Sequence, residues 1–171
     1  MFVANHGNFG IQRDGSGGRF EPSLITVYPM DANGDTAPVR VIQGPKTQLN
    51  WPALIFADTE REELYVANDG DDSVLVFRET DGGDAAPVRV LRGPQTGLKN
   101  PSSVFVDTKN NELIVSNLGN HSITVFPRTA NGDVAPLRTI RSAPQGKLSL
   151  TIVNPGGVAY DGKRNEILAP N

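Results

Sequence analysis

Four short apolar runs, separated by polar turn residues, fill the stretch from Ala53 to Gly93. They are Ala53–Ala57, ending at Asp58-Thr59; Leu64–Ala67, ending at Asn68-Asp69-Gly70; Ser73–Phe77, followed by Thr80–Asp84; and Pro87–Leu91, closed by Gly93-Pro94. Each run is rich in β-branched or aromatic residues, has the length of a strand, and is bounded by Gly, Pro, Asn or Asp, so each predicts a β-strand. The first three are nearly all apolar, which predicts strands covered on both faces. The fourth alternates Val88 and Val90 with Arg89 and predicts a strand with one wet side. No stretch shows sustained helical periodicity.

The pattern repeats. Glu63–Arg92 reads ELYVANDGDDSVLVFRETDGGDAAPVRVLR, and Glu112–Arg141 reads ELIVSNLGNHSITVFPRTANGDVAPLRTIR, identical at half their positions at a shift of 49. Self-similarity at a fixed period of this size marks a repeat architecture. Four antiparallel strands per repeat, named a to d from inside to outside, describe a β-propeller blade. The repeats fall near 1–49 (strands b–d), 50–98, 99–152 and 153–171 (strands a–b). The expectation is therefore an all-β fold, a single propeller segment with three blades' worth of four-stranded antiparallel sheets. Arg40, Arg89 and Arg138 share one place on strand d and read as solvated edge charges, each pairing with an acidic turn and discouraging edge-to-edge aggregation.

The segments ELYVANDGDDSVLVF and ELIVSNLGNHSITVF resemble the core of the NHL repeat, and YVAN is similar to the YVTN-type propeller repeats. The resemblance covers nearly the whole chain and implies a propeller, six-bladed in most NHL members. It implies no single activity, because such families include lactonase-like and other enzymes as well as protein- and RNA-binding domains.

Closed propellers have four to eight blades, and three leave sheet faces and edges open. Two explanations follow: further blades in a longer parent chain, or a homodimer in which two copies close a six-bladed ring with two-fold symmetry. Phe2–Asn5 and Ile167–Asn171 are equivalent b strands, so each junction of that ring holds one b strand too many. Met1–Asn5 matches strand b, so the chain begins inside a repeat; no secretory signal is visible, and the compartment stays open.

Composition trims the functional classes. A net charge of −3 without a Lys/Arg cluster argues against a nucleic-acid partner. No apolar run approaches a membrane span. The absence of cysteine excludes disulfides, thiolate metal sites and thiol nucleophiles.

Departures from the period point to function, because a repeat scaffold takes insertions only in loops. Asn5 to Asn68 spans 63 residues rather than 49, placing an excess in the b–c loop at His6–Ser23. Asn117 to Asn171 spans 54, placing a smaller excess in the d–a connection at Ser142–Val153. Both loop types emerge on one face of a blade. On that face Trp51 replaces the asparagine of Asn100-Pro101 and Asn154-Pro155; a lone tryptophan there suits either stacking on a sugar or other ring-bearing ligand or packing between blades. Asn68 and Asn117 end strand b, where asparagine also suits capping a turn, and His6 and His121 lie in b–c loops; with Trp51, Asn100 and Asn154 they make up the candidate ligand-binding set. Asp69, Asp71 and Asp72 are weak candidates for Ca²⁺, since their spacing lacks the full calcium-loop pattern and Asp-Gly fits a turn. No cofactor is otherwise expected, and Gly15–Gly18 reads as a flexible loop tip. The reading is a non-catalytic module that binds a small molecule or protein through the b–c and d–a face. The alternatives are a lactonase- or hydrolase-like enzyme with a metal at the channel mouth, and a fragment whose functional blades lie elsewhere.

Overall fold

The computed structural model describes residues 1–7, 9–11, 18–141, 143–144, 146–147, 152 and 154–170, with backbone alone for 9–11 and 18–20. The chain is all-β. Its strands are β1 (Phe2–Asn5), β2 (Phe9–Ile11), β3 (Gly18–Phe20), β4 (Leu24–Val27), β5 (Arg40–Ile42), β6 (Pro52–Asp58), β7 (Glu63–Asn68), β8 (Ser73–Arg78), β9 (Arg89–Arg92), β10 (Pro101–Asp107), β11 (Glu112–Asn117), β12 (Ser122–Pro127), β13 (Arg138–Ile140), β14 (Ala159–Asp161) and β15 (Glu166–Leu168). They form antiparallel sheets in the order β1-β4-β5, β6-β7-β8-β9, β10-β11-β12-β13 and β14-β15, with β2-β3 as a separate hairpin. These four sheets hold three, four, four and two strands. No closed ring of sheets forms among the described residues. Among the described residues no helix is long and apolar enough to cross a membrane, and the helices there are single 3-10 turns.

Side-chain alternation explains why the sheets stack. In β7, Leu64 and Val66 point to the first sheet, where they pack with Ile25, Ile42, Leu75 and Phe77. Tyr65 and Ala67 point the other way and pack with Val74, Val76, Leu91, Val104 and Phe126 against the third sheet. A further layer of Ile114, Ile123 and Val125 is covered by Val158, Tyr160 and Ile167 of the last sheet. The near-continuous apolar runs are thus two-faced strands, each face contributing its own inter-sheet layer.

Two polar devices lock the second sheet to the third. The first is a clamp around Glu63. Its carboxylate accepts from Arg89 of the same sheet at 2.7 Å, from Arg128 of the next sheet at 2.5 Å, and from the Tyr65 hydroxyl at 2.6 Å. Both guanidinium groups also donate to the Tyr65 oxygen, each at 3.2 Å. Burial works to raise the Glu63 carboxyl, but hydrogen bonds from Arg89 and Tyr65 and the two positive charges outweigh it and hold the group below its ordinary range. Tyr65 is pushed up to about 12, by burial and by its bond to Glu63.

The second device is a latch. The strand c–d loop of each later sheet reaches back to the outer edge of the sheet before it. Gly83 pairs in parallel with Ile42, donating its N–H to the Val41 carbonyl at 2.7 Å and accepting from Gln43 at 2.9 Å. Asp84 then accepts from the Lys46 N–H at 2.7 Å. One repeat on, Gly132 pairs with Leu91, Asn131 accepts from the Val90 N–H, and Asp133 accepts from the Gln95 N–H. The aspartates come so close that a Cβ on Gly44 or Gly93 would lie 2.3 Å from them, and those residues have φ of 137° and 139°.

Three expectations need correction. Arg89 is not the wet side of strand d: its side chain is 18 % exposed because Glu63 draws it inward, whereas Val88 is 39 % exposed. Nor do the strand d arginines pair with acidic turns. Arg89 and Arg138 reach glutamates at the start of strand b, Glu63 and Glu112, and Arg40 donates to the Glu79 carbonyl. The His6–Ser23 insertion is more than a loop, since it contains the β2-β3 hairpin. Of the presumed flexible tip, residues 15–17 lie outside the described set and Gly18 opens β3; most of the Ser142–Val153 connection also lies outside it.

Because Glu63 titrates lower in the folded than in the unfolded chain, its contribution is present above the unfolded carboxylate range and fades as pH falls through the folded pKa. Glu63→Gln should lower unfolding stability at pH 7 by about 1–3 kcal/mol, since the side chain is only partly buried. It should also lose less stability than the parent between pH 7 and pH 3. Urea titrations at the two pH values measure both effects.

Candidate functional site

The residue before strand a of the second and third sheets carries an unusual backbone. Trp51 precedes Pro52 and Asn100 precedes Pro101, and both are left-handed, at φ of 52° and 44°. Asparagine tolerates this region because its short amide bonds locally, but for tryptophan it costs about 1–2 kcal/mol. Burial does not offset that cost, since Trp51 is 56 % exposed.

What holds Trp51 there is a repeated set of hydrogen bonds. Its N–H donates to Ser23 Oγ at 3.2 Å, and its carbonyl accepts from the Asp69 N–H at 3.1 Å. One repeat on, the Asn100 N–H donates to Asp72 Oδ1 at 2.7 Å, and its carbonyl accepts from Leu118. Ser23 and Asp72 are 49 residues apart and do the same work, tying the start of one sheet to strand c of the sheet before. Ser23 also donates to the His6 carbonyl at 2.8 Å. The His6 ring lies parallel to the Trp51 ring, with centroids 6.4 Å apart. Gly7, at φ 81°, lets the insertion return closely, for a Cβ there would sit 2.3 Å from the Glu21 carbonyl.

The result is an exposed pair of parallel aromatic rings where the insertion meets the start of β6. A cleft of about 430 Å³ adjoins His6 and is lined by Asn5, Glu21, Leu24, Thr26 and Tyr28 among others. A second cleft of about 550 Å³ adjoins Ser23 and is lined by Pro22, Gln43, Gly44, Pro45 and Leu49. Flat rings beside amide and hydroxyl groups can stack on an apolar ring face while bonding its polar edge.

The other sequence candidates fall elsewhere. Asn68 is fully buried: its Oδ1 accepts from the Asn50 N–H at 2.7 Å, and its Nδ2 donates to the Gln48 carbonyl and Ser73 Oγ. Asn117 is buried too, bonded to Lys99 N–H, Thr124 and Ser122. Both amides serve the scaffold, so neither reaches a ligand in this fold. Asn100 is half-buried with its amide against Gly119, whereas Asn154 is exposed. His121 sits one sheet beyond Asp72 at the equivalent position, in a left-handed conformation.

The three aspartates are divided among separate contacts. Asp69–Asp71 form a 3-10 turn, Asp71 pairs with Arg92, and Asp72 pairs with Lys99 at 2.7 Å, a bond that raises the Lys99 ammonium above its ordinary value. Among the described residues no three His, Asp or Glu side chains gather as a metal-holding group. Ser23 was missed by the sequence reading, although its spacing of 49 from Asp72 carried the signal.

No family model matches the chain, and no curated protein matches it at a significant level. Asn68→Ala should lower unfolding stability by about 1–3 kcal/mol by leaving the Asn50 N–H and Gln48 carbonyl unpaired. Chemical denaturation of the purified variant checks it.

Proposed function

We propose that the chain is an NHL-like β-propeller segment that acts as a non-catalytic binding module, and that Trp51 and His6 form its ligand platform. The ligand class is a ring with an apolar face and polar edges, such as a sugar unit. The observation that carries this reading is the conformation of Trp51: a large aromatic residue held left-handed, exposed and parallel to His6, where the next repeat places asparagine. Strain retained without burial is a mark of use. The stacking of successive four-stranded sheets and the 49-residue period support the propeller, whose ring is completed in this reading either by a second copy or by further blades of a longer parent chain. In a ring of two copies β1 and β15 compete for one position, so one of them leaves its sheet at each junction.

Trp51 is the single tryptophan of the chain, so its fluorescence reports this site alone. Titration with neutral hexose and N-acetylhexosamine oligosaccharides should give a saturable change in emission for at least one of them. Trp51→Asn, which restores the residue of the next repeat, should abolish binding by calorimetry while leaving stability equal or raised by about 1 kcal/mol. An unresponsive panel, or undiminished binding by the variant, overturns the platform.

A further inference from the structure

Two ion pairs rim the place where the second sheet leads into the third. Asp71 pairs with Arg92 of its own sheet, and Asp72 pairs with Lys99 at 2.7 Å, at the entry to the next. Forty-nine residues earlier these four positions hold Pro22, Gln43, Ser23 and Asn50. None is charged, and because both partners of each pair are replaced, no half of a pair is left behind. The surrounding register is unchanged: Gly44, Pro45, Thr47 and Leu49 recur as Gly93, Pro94, Thr96 and Leu98.

Without those pairs, the place where the first sheet leads into the second is open. The cleft of about 550 Å³ is lined there by Pro22, Ser23, Gln43, Gly44, Pro45 and Leu49, with no charged residue among them. Lys46, which replaces Gln95, is exposed and lies outside that lining. Leu49 is half-buried, whereas its counterpart Leu98 is 7 % exposed. The volume lies within the range of small-ligand sites, roughly 300–1,000 Å³. Ser23 joins the cleft to the platform, because its Oγ accepts the Trp51 N–H at 3.2 Å.

Resting on the platform reading above, we infer that this cleft is a second subsite for the same ligand, an uncharged oligosaccharide. The Trp51 and His6 rings take one sugar unit, and the cleft beside Ser23 takes the next. The occupant is uncharged because a charged unit would give up water against a wall that offers it no ion partner. A neutral sugar asks only for hydrogen bonds at its hydroxyls and apolar contact at its C–H face. Gln43 supplies the amide, and its own N–H is fixed by the latch to the Gly83 carbonyl at 2.9 Å. Pro22, Pro45 and Leu49 supply the apolar contact. Restoring Asp71 and Arg92 at the positions of Pro22 and Gln43 would place an ion pair across the opening.

Calorimetric titration of the whole chain with neutral hexose and N-acetylhexosamine sugars of one and two units tests this. In the series that binds, two units should bind about tenfold or more tightly than one. Pro22→Asp with Gln43→Arg, which installs the ion pair of the next repeat, should cut that gain at least threefold with an unchanged thermal melt. Should that variant misfold, Gln43→Ala decides instead, and the same cut is expected. A uronic acid disaccharide should bind at least threefold more weakly than the neutral one. A parent gain below tenfold, or a folded variant whose gain is cut less than threefold, overturns the second subsite and leaves the platform standing. A uronic acid disaccharide that binds as tightly as the neutral one overturns the uncharged ligand. A parent that binds no member of either series overturns the platform and the subsite with it.

Discussion

Leu64 and Tyr65 are neighbours in β7, both wholly buried, and they point to opposite sides of their sheet. A strand that is apolar on both faces cannot be satisfied by one partner layer; its sheet must be covered twice. Everything else in the architecture answers that requirement. The 49-residue unit is not a self-contained domain but one layer of a stack, which buries its core only between neighbours. The same requirement makes the ends conspicuous, because a repeat with two apolar faces leaves one face over wherever the stack stops.

Apolar faces alone do not fix how successive sheets are set against each other. That is done by polar contacts spaced along each junction. At one end the residue before strand c, Ser23 or Asp72, bonds the N–H before strand a of the following sheet. At the other end the c–d loop reaches back to the preceding sheet and pairs with its edge. Between the second and third sheets the Glu63 clamp adds a charged bond between strands b and c of facing sheets. Directional bonds at separate points define a rotation as well as a distance, which the hydrophobic layer cannot do, since burial is indifferent to direction.

Much of this was legible. Strands β6, β7 and β8 fall within a residue or so of the apolar runs, because alternation and turn residues act locally. What failed is instructive. Arg89 was read as wet from its own strand, but its position is decided by Glu63, which lies two strands away across β8. Asn68 and Asn117 carried two readings, a turn-capping role and a ligand contact, and their buried bonds fit the first; a buried asparagine bonding its own turn has the same sequence signature as an exposed one. Trp51 was legible as an exception to the repeat, yet its left-handed backbone and its pairing with His6 depend on an insertion that brings together residues 45 positions apart.

The departures gather at one junction. Between the first and second sheets lie Ser23 in place of an aspartate, Trp51 in place of an asparagine, and the insertion that presents His6. The carboxylate clamp has no counterpart among the described residues there: Arg40 bonds the Glu79 backbone, while Arg40 Nε and Glu79 Oε1 are buried without a hydrogen-bond partner. The strain at Trp51 is therefore held by the remaining contacts of that junction, the Gly83–Asp84 latch and the Ile25, Ile42, Leu64 and Phe77 layer. Regular repeats on one side let the chain hold an irregular residue on the other. A rigid stack can keep one large side chain in a conformation it would not adopt alone, which is the physical condition that the proposed binding role of Trp51 requires.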